Sequence, residues 1–198
     1  MRTQFAAALL LGTALLLPGC TTGPAPVEVT RFHLDQPIAP AEITVEPKDP
    51  TLAGSLEFQS YSGAIGAELQ KLGFRLAPNL TKSELVAVVD VARDARQTGP
   101  TQAPASIGLG GGGFGGSVGG GVGISFPVGK KRTPMAVQTR LAIQLKRRSE
   151  GTVIWEGRAA TEARDGTPQA EPGYAVRHLA AALFQGFPGE SGRTITVK

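Results

Sequence analysis

Apolar and polar residues alternate along several segments of the chain, which is the pattern of strands with one buried face. The longest alternation runs over residues 137–148, and five of its residues share one side: Val137, Thr139, Leu141, Ile143 and Leu145. A second alternation covers 152–163, and the Glu150-Gly151 pair between the two predicts a hairpin turn. Shorter strands are predicted at 28–34, 42–47, 74–77 and 193–198, the last as an edge strand.

Two other segments repeat apolar residues every three or four positions, which predicts amphipathic helices. In the first helix Asp49 is expected as the cap, Pro50 as the first helical residue and Gly73 as the left-handed stop. Its apolar face consists of Phe58, Tyr61, Ile65, Leu69 and Leu72. The second helix is predicted over 172–185 with a stop at Gly186, and its core side consists of Val176, Leu179 and Leu183.

The segment 85–92 is apolar almost throughout, which predicts a central strand covered on one face by helices. Its one carboxylate, Asp90, is expected to form a structural ion pair with Arg140 or Arg158 on a neighbouring strand. Residues 94–106 are predicted to be a loop. The order of elements predicts an α+β fold: a mostly antiparallel sheet of about five to six strands with two helices packed on one face, plus a glycine-rich β-hairpin insertion.

The insertion contains the sequence GLGGGGFGGSVGGGVGISF at 108–126. If Gly116-Ser117 forms a two-residue turn, Ile107 faces Phe126 and Leu109 faces Ile124. Period-two alternation then gathers the apolar residues on one face and leaves the other nearly bare. Residues 107–126 are therefore predicted to form a hairpin, with a disordered loop as the alternative. We expect it to mediate self-association or contact with other envelope proteins through Leu109, Phe114, Gly116, Ser117, Val122 and Ile124.

The N-terminus has Arg2, an apolar stretch over 5–17 and the sequence LPGC at 17–20, which together indicate a signal peptide. LPGC resembles the lipobox of bacterial lipoproteins, and the resemblance implies diacylglycerol and N-acyl lipid on Cys20 after removal of residues 1–19. Residues 20–27 are rich in proline and glycine and are expected to be a tether, followed by a single domain over 28–198. Thr21 rather than aspartate favours, by analogy, the periplasmic face of the outer membrane.

The remaining composition limits the possible chemistry. A net charge of +4 with short basic runs at 129–132 and 146–148 does not predict nucleic acid binding, although attraction to anionic headgroups or cell-wall polymer is left open. Two histidines and one cysteine predict no metal site, and no cofactor is expected. The G-x-G-x-x-G matches in the tract lack a following helix, and GISFPVGKK at 123–131 lacks the spacing and the Ser/Thr of a phosphate loop.

One catalytic pattern remains as an alternative. Gly115 to Gly119 matches G-x-S-x-G, and Asp165 and His178 follow Ser117 in the order of α/β-hydrolases. The surrounding glycines cannot nucleate the helix that presents such a serine, so the chain is not expected to be an enzyme.

The segments EITVEPKDP, ELVAVVDVARD, TVIWEGRAAT and FPGESGRTITV resemble the bacterial lipoprotein family named Domain of Unknown Function 4136. The resemblance implies a lipobox, a glycine-rich middle and this order of strands and helices, and it implies no known activity. We therefore expect a non-catalytic, lipid-anchored envelope protein with a structural or adaptor role. The alternatives are an accessory subunit of an envelope transport or assembly machine and, third, a serine hydrolase built on Ser117, Asp165 and His178.

Overall fold

The computed structural model describes residues 23–78, 83–100, 105–109, 124–128 and 133–198. In these ranges the helices are α1 (Leu56–Lys71) and α2 (Pro172–Phe184), with short 3-10 helices at Pro50–Leu52 and Pro168–Ala170. The strands are β1 (Val27–His33), β2 (Glu42–Pro47), β3 (Arg75–Leu76), β4 (Leu85–Gln97), β5 (Ala105–Leu109), β6 (Ile124–Val128), β7 (Met135–Arg147), β8 (Val153–Arg164) and β9 (Thr194–Val197).

In the described part of the chain, seven strands form one main sheet in the order β3-β2-β4-β7-β8-β1-β9. The prediction of a mostly antiparallel sheet with five to six strands is wrong, because the sheet is mixed and larger. The chain passes through α1 between β2 and β4 and returns in the same direction, so β2 is parallel to β4 and to β3. All other neighbouring strands of the main sheet are antiparallel, and the two-residue strand β3 forms one of its two edges.

Both helices pack against the main sheet and against each other, as the fold class predicted, and they share one hydrophobic core. The five residues that share one side of β7 are all buried, as are the predicted core residues of α2. The most deeply buried large side chains of this core include Ile65, Leu69, Ile143, Leu145, Trp155, Leu179 and Leu183. We call the side of the sheet beneath the helices the covered face and the opposite side the open face.

The first helix begins later than the sequence predicts. Asp49 caps the short 3-10 helix by accepting a hydrogen bond from the Thr51 backbone N–H, whereas Ser55 caps α1 by accepting from the Phe58 N–H. The predicted helix stops are correct, since Gly73 and Gly186 both have left-handed backbones, with φ of 90° and 69°.

The predicted loop at 94–106 is also partly wrong, because β4 continues through Gln97 and β5 begins at Ala105. Residues 93–97 are polar apart from Ala95, yet they pair with 135–139 of β7 in an unbroken antiparallel ladder. Asp94 and Arg96 point to the open face, where they meet partners on β7 and β8, whereas Arg93 donates to the Ala170 carbonyl on the covered face. Solvent on the open face removes the need for apolar residues, which is why the hydrophobic pattern stops before the strand does.

Candidate functional site

The glycine-rich insertion begins with a two-stranded ribbon. β5 pairs with β6 in a small antiparallel sheet separate from the main sheet, and we call this ribbon the arm base. Its register places Ile107 opposite Phe126 and Leu109 opposite Ile124, which are the two pairs that the sequence predicts at this level. The other predicted interaction residues lie outside the described residues, as does the predicted turn: Phe114, Gly116, Ser117 and Val122.

In the sequence, the arm base lies between β4 and β7, which are two central strands of the main sheet. β4 and β7 pair along their whole length, from Leu85 opposite Arg147 to Gln97 opposite Met135. The ladder continues one step further, since the Thr98 N–H donates to the Pro134 carbonyl oxygen at 2.9 Å. The chain therefore leaves for the arm base and returns from it at a single end of these two strands.

The N-terminal segment joins the main sheet at the same end. Val27 begins β1 opposite Thr161 of β8 and Val197 of β9. Thr161 in turn faces Thr139 of β7, which faces Arg93 of β4. The strands β4 and β7 extend four residues past this row, which is about 13 Å at the usual rise per residue. We call this the arm end of the sheet, defined by Val27, Val197, Arg164, Gln97 and Met135.

Two hydrogen bonds hold the chain just before β1 in place. Nε2 of His178 lies 2.8 Å from the carbonyl oxygen of Ala25, and the Thr161 hydroxyl donates to the carbonyl of Pro26 at 3.0 Å. A role for His178 in fixing the N-terminal segment was missed by sequence reasoning, which considered this residue only as part of the hydrolase pattern. Cys20, the predicted lipidation site, lies outside the described residues.

Of the predicted catalytic pattern, the structure describes only the acid and the histidine. Asp165 follows β8, and its backbone N–H donates to Met135 at 2.9 Å, while His178 lies on α2. Ser117 is outside the described residues, so the triad stays a prediction.

The open face of the main sheet contains a shallow depression of about 360 Å³. The small side chains of Ala92, Ala142 and Ala160 line it, and they alternate with polar residues along β4, β7 and β8. Its polar lining consists of Glu28, Thr30, Asp90, Arg140, Arg158 and Thr194. The covered face thus holds the core, and the open face presents a polar surface with alanines at its base.

Charges on the open face are joined in ion pairs between and along strands. Arg140 pairs with Asp94, Arg96 with Glu162, and Arg158 with Glu156 at 2.5 Å. Each of these side chains is at least one-fifth exposed to solvent.

The expected partner of Asp90 is corrected by the structure. Asp90 pairs with Lys48 at 2.8 Å rather than with Arg140 or Arg158. Lys48 directly follows β2, the parallel neighbour of β4, and its N–H extends that ladder by donating to the Val89 carbonyl. Because the side chain of Asp90 is 46% exposed on the open face, it needs no partner to compensate for burial.

A buried cation under the C-terminus of α2 is the main feature that sequence reasoning missed. The Arg31 side chain donates from Nε to the Leu183 carbonyl at 2.9 Å, and from Nη2 to the carbonyls of Ala182 and Gln185 at 3.1 and 2.9 Å. Burial lowers the pKa of this guanidinium, and the negative end of the helix dipole favours the cation. One signal in the sequence could have revealed this buried cation: Arg31 is two residues after Val29 in β1, so alternation places both side chains on the covered face.

The segment after α2 folds back over this cation. The Trp155 indole N–H donates to the Pro188 carbonyl at 3.0 Å, and Nε2 of His33 lies 2.9 Å from the Gly189 carbonyl. Gly189 has a φ of 82°, and a Cβ atom there would lie 2.6 Å from the Arg31 side chain. The residues FPGE at 187–190 are therefore part of the packing around Arg31, which makes this region structural.

Two other groups have shifted pKa values. Burial raises the pKa of the Tyr61 phenol, and a hydrogen bond from its hydroxyl to Glu57 at 2.5 Å raises it further. Hydrogen bonds from the Thr51 hydroxyl and backbone N–H lower the pKa of the Asp49 carboxyl. Both shifts arise from local contacts near the start of α1.

Within the described ranges, no group of three or more histidine, cysteine, aspartate or glutamate side chains is arranged to hold a metal ion. The same ranges contain no helix with the length and hydropathy of a membrane span.

Comparison with known proteins gives the following similarities. The sequence profile of a family described as a domain of unknown function (DUF4136) matches residues 31–189. An uncharacterized protein of Zymomonas mobilis subsp. mobilis is 38% identical over 213 residues, covering 87% of this chain and 80% of that protein.

Among solved structures, a PDZ domain protein from Parabacteroides distasonis aligns with a TM-score of 0.47 and 14% identity over 87% of this chain. This chain spans 39% of the length of that protein. A PelC dodecamer subunit from Paraburkholderia phytofirmans aligns with a TM-score of 0.40 and 12% identity, covering 79% of this chain and 94% of that subunit.

Proposed function

The chain belongs to the family described as a domain of unknown function (DUF4136), and on that premise we propose that it is a lipid-anchored envelope protein with a structural or adaptor role and no catalytic activity. The sequence LPGC with its preceding apolar stretch supports the anchor at Cys20. Thr21 after the cysteine supports the periplasmic face of the outer membrane. Covalent lipid is then the one added group, with no cofactor or metal.

One observation carries the proposal: the N-terminal segment and the arm base both leave the main sheet at its arm end. A lipid on Cys20 would hold this end towards the membrane, since only six residues separate Cys20 from Val27. The strands, and the open face with them, then extend away from the membrane, where another protein can reach that face. That arrangement suits a protein that connects a membrane surface with a second envelope component.

Metabolic labelling tests the anchor. We expect the full-length chain, expressed in a bacterial host with radioactive palmitate, to incorporate label and to fractionate with outer membranes. Cys20→Ser should lose both properties, whereas the matched control Ser55→Cys/Cys20→Ser should not regain them, because its thiol lies outside the lipobox. Retention of label by Cys20→Ser would contradict the proposal.

Deletion of residues 108–123 tests the adaptor role. The main sheet does not include these residues, so we expect the circular dichroism spectrum and the melting temperature of the shortened chain to change little. Cross-linking in intact cells should capture other envelope proteins or a second copy with the full chain and lose them with the deletion. Identical cross-linked partners from both chains would exclude the arm as the contact.

An accessory subunit of an envelope transport or assembly machine is the second candidate. The depression on the open face favours it, because a volume of about 360 Å³ lined by charged side chains and alanines is open to a partner. Co-purification with integral membrane proteins after mild detergent extraction, reduced by the bulky substitution Ala142→Trp at the base of the depression, would support this role over a purely structural one.

A serine hydrolase remains the third and weakest reading of the sequence. A fluorophosphonate probe that labels the wild type, but not Ser117→Ala, would establish it and would overturn the non-catalytic proposal.

A further inference from the structure

The outer side of β9, the last strand of the main sheet, is open. β9 pairs with β1 on its inner side, and among the described residues no strand pairs with its outer side. Unpaired backbone groups at a sheet edge form a template for a further strand, and strand addition is one general way in which proteins recognise an extended peptide. The strand at the opposite edge, β3, has only two residues, so β9 is the longer edge strand of the two.

Hydrogen bonds just before β9 show how β1 faces it. The Gly192 N–H donates to the Arg31 carbonyl at 2.8 Å, and the His33 N–H donates to the Ser191 hydroxyl at 3.1 Å. In an antiparallel ladder, alternate residues of a strand direct their backbone groups to the same neighbour. The odd-numbered residues of β1 therefore point their N–H and C=O groups towards β9.

The outward groups of β9 follow from this alternation. Ile195 and Val197 lie opposite odd-numbered residues of β1, so these two residues form the hydrogen bonds between the strands. The N–H and C=O groups of Thr196, which lies between them, point away from β1. Thr196 therefore presents a backbone donor and acceptor at the edge, and Thr194 does the same at the start of the strand.

A groove on the covered face borders β9. It has a volume of about 430 Å³ and is lined by Val197 and Lys198 together with residues of both helices. The apolar residues that the helices contribute are Leu72, Ala181, Ala182 and Phe184. A strand added to β9 would direct every second side chain to the covered face, because successive residues alternate sides. The groove can accept an apolar side chain from such a strand.

The edge is basic at both ends. Arg193 directly precedes β9 and Lys198 directly follows it, and the strand itself, TITV, has no acidic residue. Arg193 pairs with Glu190 at 3.0 Å, but both side chains are 66% exposed, so solvent weakens this pair. Carboxylates at the two ends of an incoming strand would therefore complement the edge, since opposite charges on neighbouring strands attract.

We propose that β9 binds an extended segment of another protein as an eighth strand of the main sheet, with acidic residues at the ends of the segment and an apolar residue in the groove. The proposal goes beyond the proposed function, because this contact requires neither the lipid on Cys20 nor the arm base. It assigns the chain a partner surface at the edge of the sheet, separate from the open face.

A second copy of the chain fits this edge less well. Two antiparallel registers keep the apolar residues of both copies on the covered face with the greatest overlap of the strands, and they centre on Ile195 or on Thr196. Both registers place Lys198 within one residue of Arg193 on the other copy. Like charges then meet at each end and oppose the pairing. The charge pattern therefore favours a different protein as the partner.

Two synthetic peptides test the contact with the full chain. The first carries fluorescein and has alternating threonines and valines between glutamates at both ends, and the matched control has lysines in place of the glutamates. We expect the acidic peptide to gain fluorescence anisotropy when the chain is added and the lysine peptide to bind about two- to tenfold more weakly. Salt should reduce this difference. Equal affinities at low salt would overturn the assignment of an acidic partner.

Substitutions at the edge identify where the peptide binds. Thr196→Pro removes an outward N–H and no hydrogen bond to β1, so it should abolish binding while the melting temperature stays close to that of the wild type. The matched control Thr196→Val keeps the N–H and should bind as the wild type does. Lys198→Glu leaves the backbone intact and should reverse the order of the two peptides, which keeps the test decisive if the proline variant unfolds.

Amide hydrogen exchange measured by NMR gives an independent readout. The acidic peptide should slow exchange at Thr194 and Thr196, whose N–H groups point outwards, and should leave Ile195 and Val197 unchanged. Absence of binding by the acidic peptide, or equal binding to Thr196→Pro and Thr196→Val, would overturn the proposal. A dimer of the wild-type chain that Thr196→Pro dissociates would identify a second copy as the occupant and would also overturn it.

Discussion

The covered and open faces of the main sheet are made by alternate residues of the same strands, yet different interactions hold them. On β7 the side chain of Ile143 is fully buried beneath the helices, while its neighbour Gln144 points to the open face and donates to Glu156 at 3.1 Å. The covered face gains about 25 cal/mol for each Å² of apolar surface removed from water. An exposed ion pair on the open face contributes about 0–1 kcal/mol. The covered face therefore specifies the fold, and the open face contributes little to stability.

The largest expected effect comes from shortening one side chain on each face of β7 and comparing the free energies of unfolding. Ile143→Ala should lower the free energy of unfolding by about 2–5 kcal/mol, because the cavity it leaves lies in the centre of the core. The neighbouring control Gln144→Ala should change it by less than about 0.5 kcal/mol. Urea unfolding followed by Trp155 fluorescence measures both. Comparable losses from the two variants would mean that the open face also carries the fold.

A second test compares an arginine from each face. Arg31→Met should destabilise the protein by about 1–3 kcal/mol, because three carbonyl oxygens at the end of α2 lose their donors in a buried setting. Arg158→Met removes a cation of the same type from the open face, where its side chain is 65% exposed, and should have a much smaller effect. Thermal unfolding of the two variants gives the comparison. A larger loss from Arg158→Met would contradict the structural role assigned to Arg31.

A third test measures one ion pair of the open face. A double-mutant cycle with Arg140→Ala and Asp94→Ala should give a coupling of at most about 1 kcal/mol. Salt should weaken it, since charges exposed to solvent are screened over about 10 Å at 0.1 M ionic strength. Repeating the cycle at low and high salt tests both statements. A coupling that is large and independent of salt would indicate that this part of the open face is covered by a partner.

The smallest effect at neutral pH belongs to Tyr61 on the buried side of α1. Its pKa is raised in the folded protein, so at high pH the unfolded tyrosine ionises first, and this ionisation stabilises the unfolded state. The contribution of Tyr61 to stability is fully present below pH of about 10, the ordinary value for tyrosine, and is lost as the pH rises towards the raised pKa. Unfolding measured across this alkaline range should show a steeper loss of stability for the wild type than for Tyr61→Phe. Parallel curves would mean that Tyr61 ionises equally in both states.

The elements that the sequence predicted well are those whose limits depend on local chemistry. The limits of β2 coincide with the prediction at 42–47, and Pro47, which cannot donate to a ladder, ends the strand. The alternation of apolar and polar residues predicted β7 and its buried side correctly, because the helices cover only one face of the sheet and every second side chain is therefore buried. The glycine stops after α1 and α2 follow from the left-handed backbone that glycine tolerates.

Features that depend on which strands are neighbours could not be predicted from the sequence. The pairing of Asp90 with Lys48 requires β2 to lie parallel to β4, and Arg31 requires the end of α2 to lie above β1. For the candidate site, turn geometry predicted the two pairs at the arm base. The N-terminal segment and the arm base both leave the main sheet at its arm end, and this shared position is visible only once the strand order is known.

The pairing of Val27 with Val197 has a practical consequence for protein engineering. It makes the start of β1 and the end of β9 neighbours, so a short linker can join Lys198 to Gly23 while new ends are opened in the turn at Glu150-Gly151. Such a circular permutant retains every strand pairing of the main sheet. Under the proposed anchoring, fusing the leader and cysteine to its new N-terminus at Gly151 would move the attachment point to the opposite end of the sheet. The domain would then be displayed upside down, with the arm directed away from the surface that carries it.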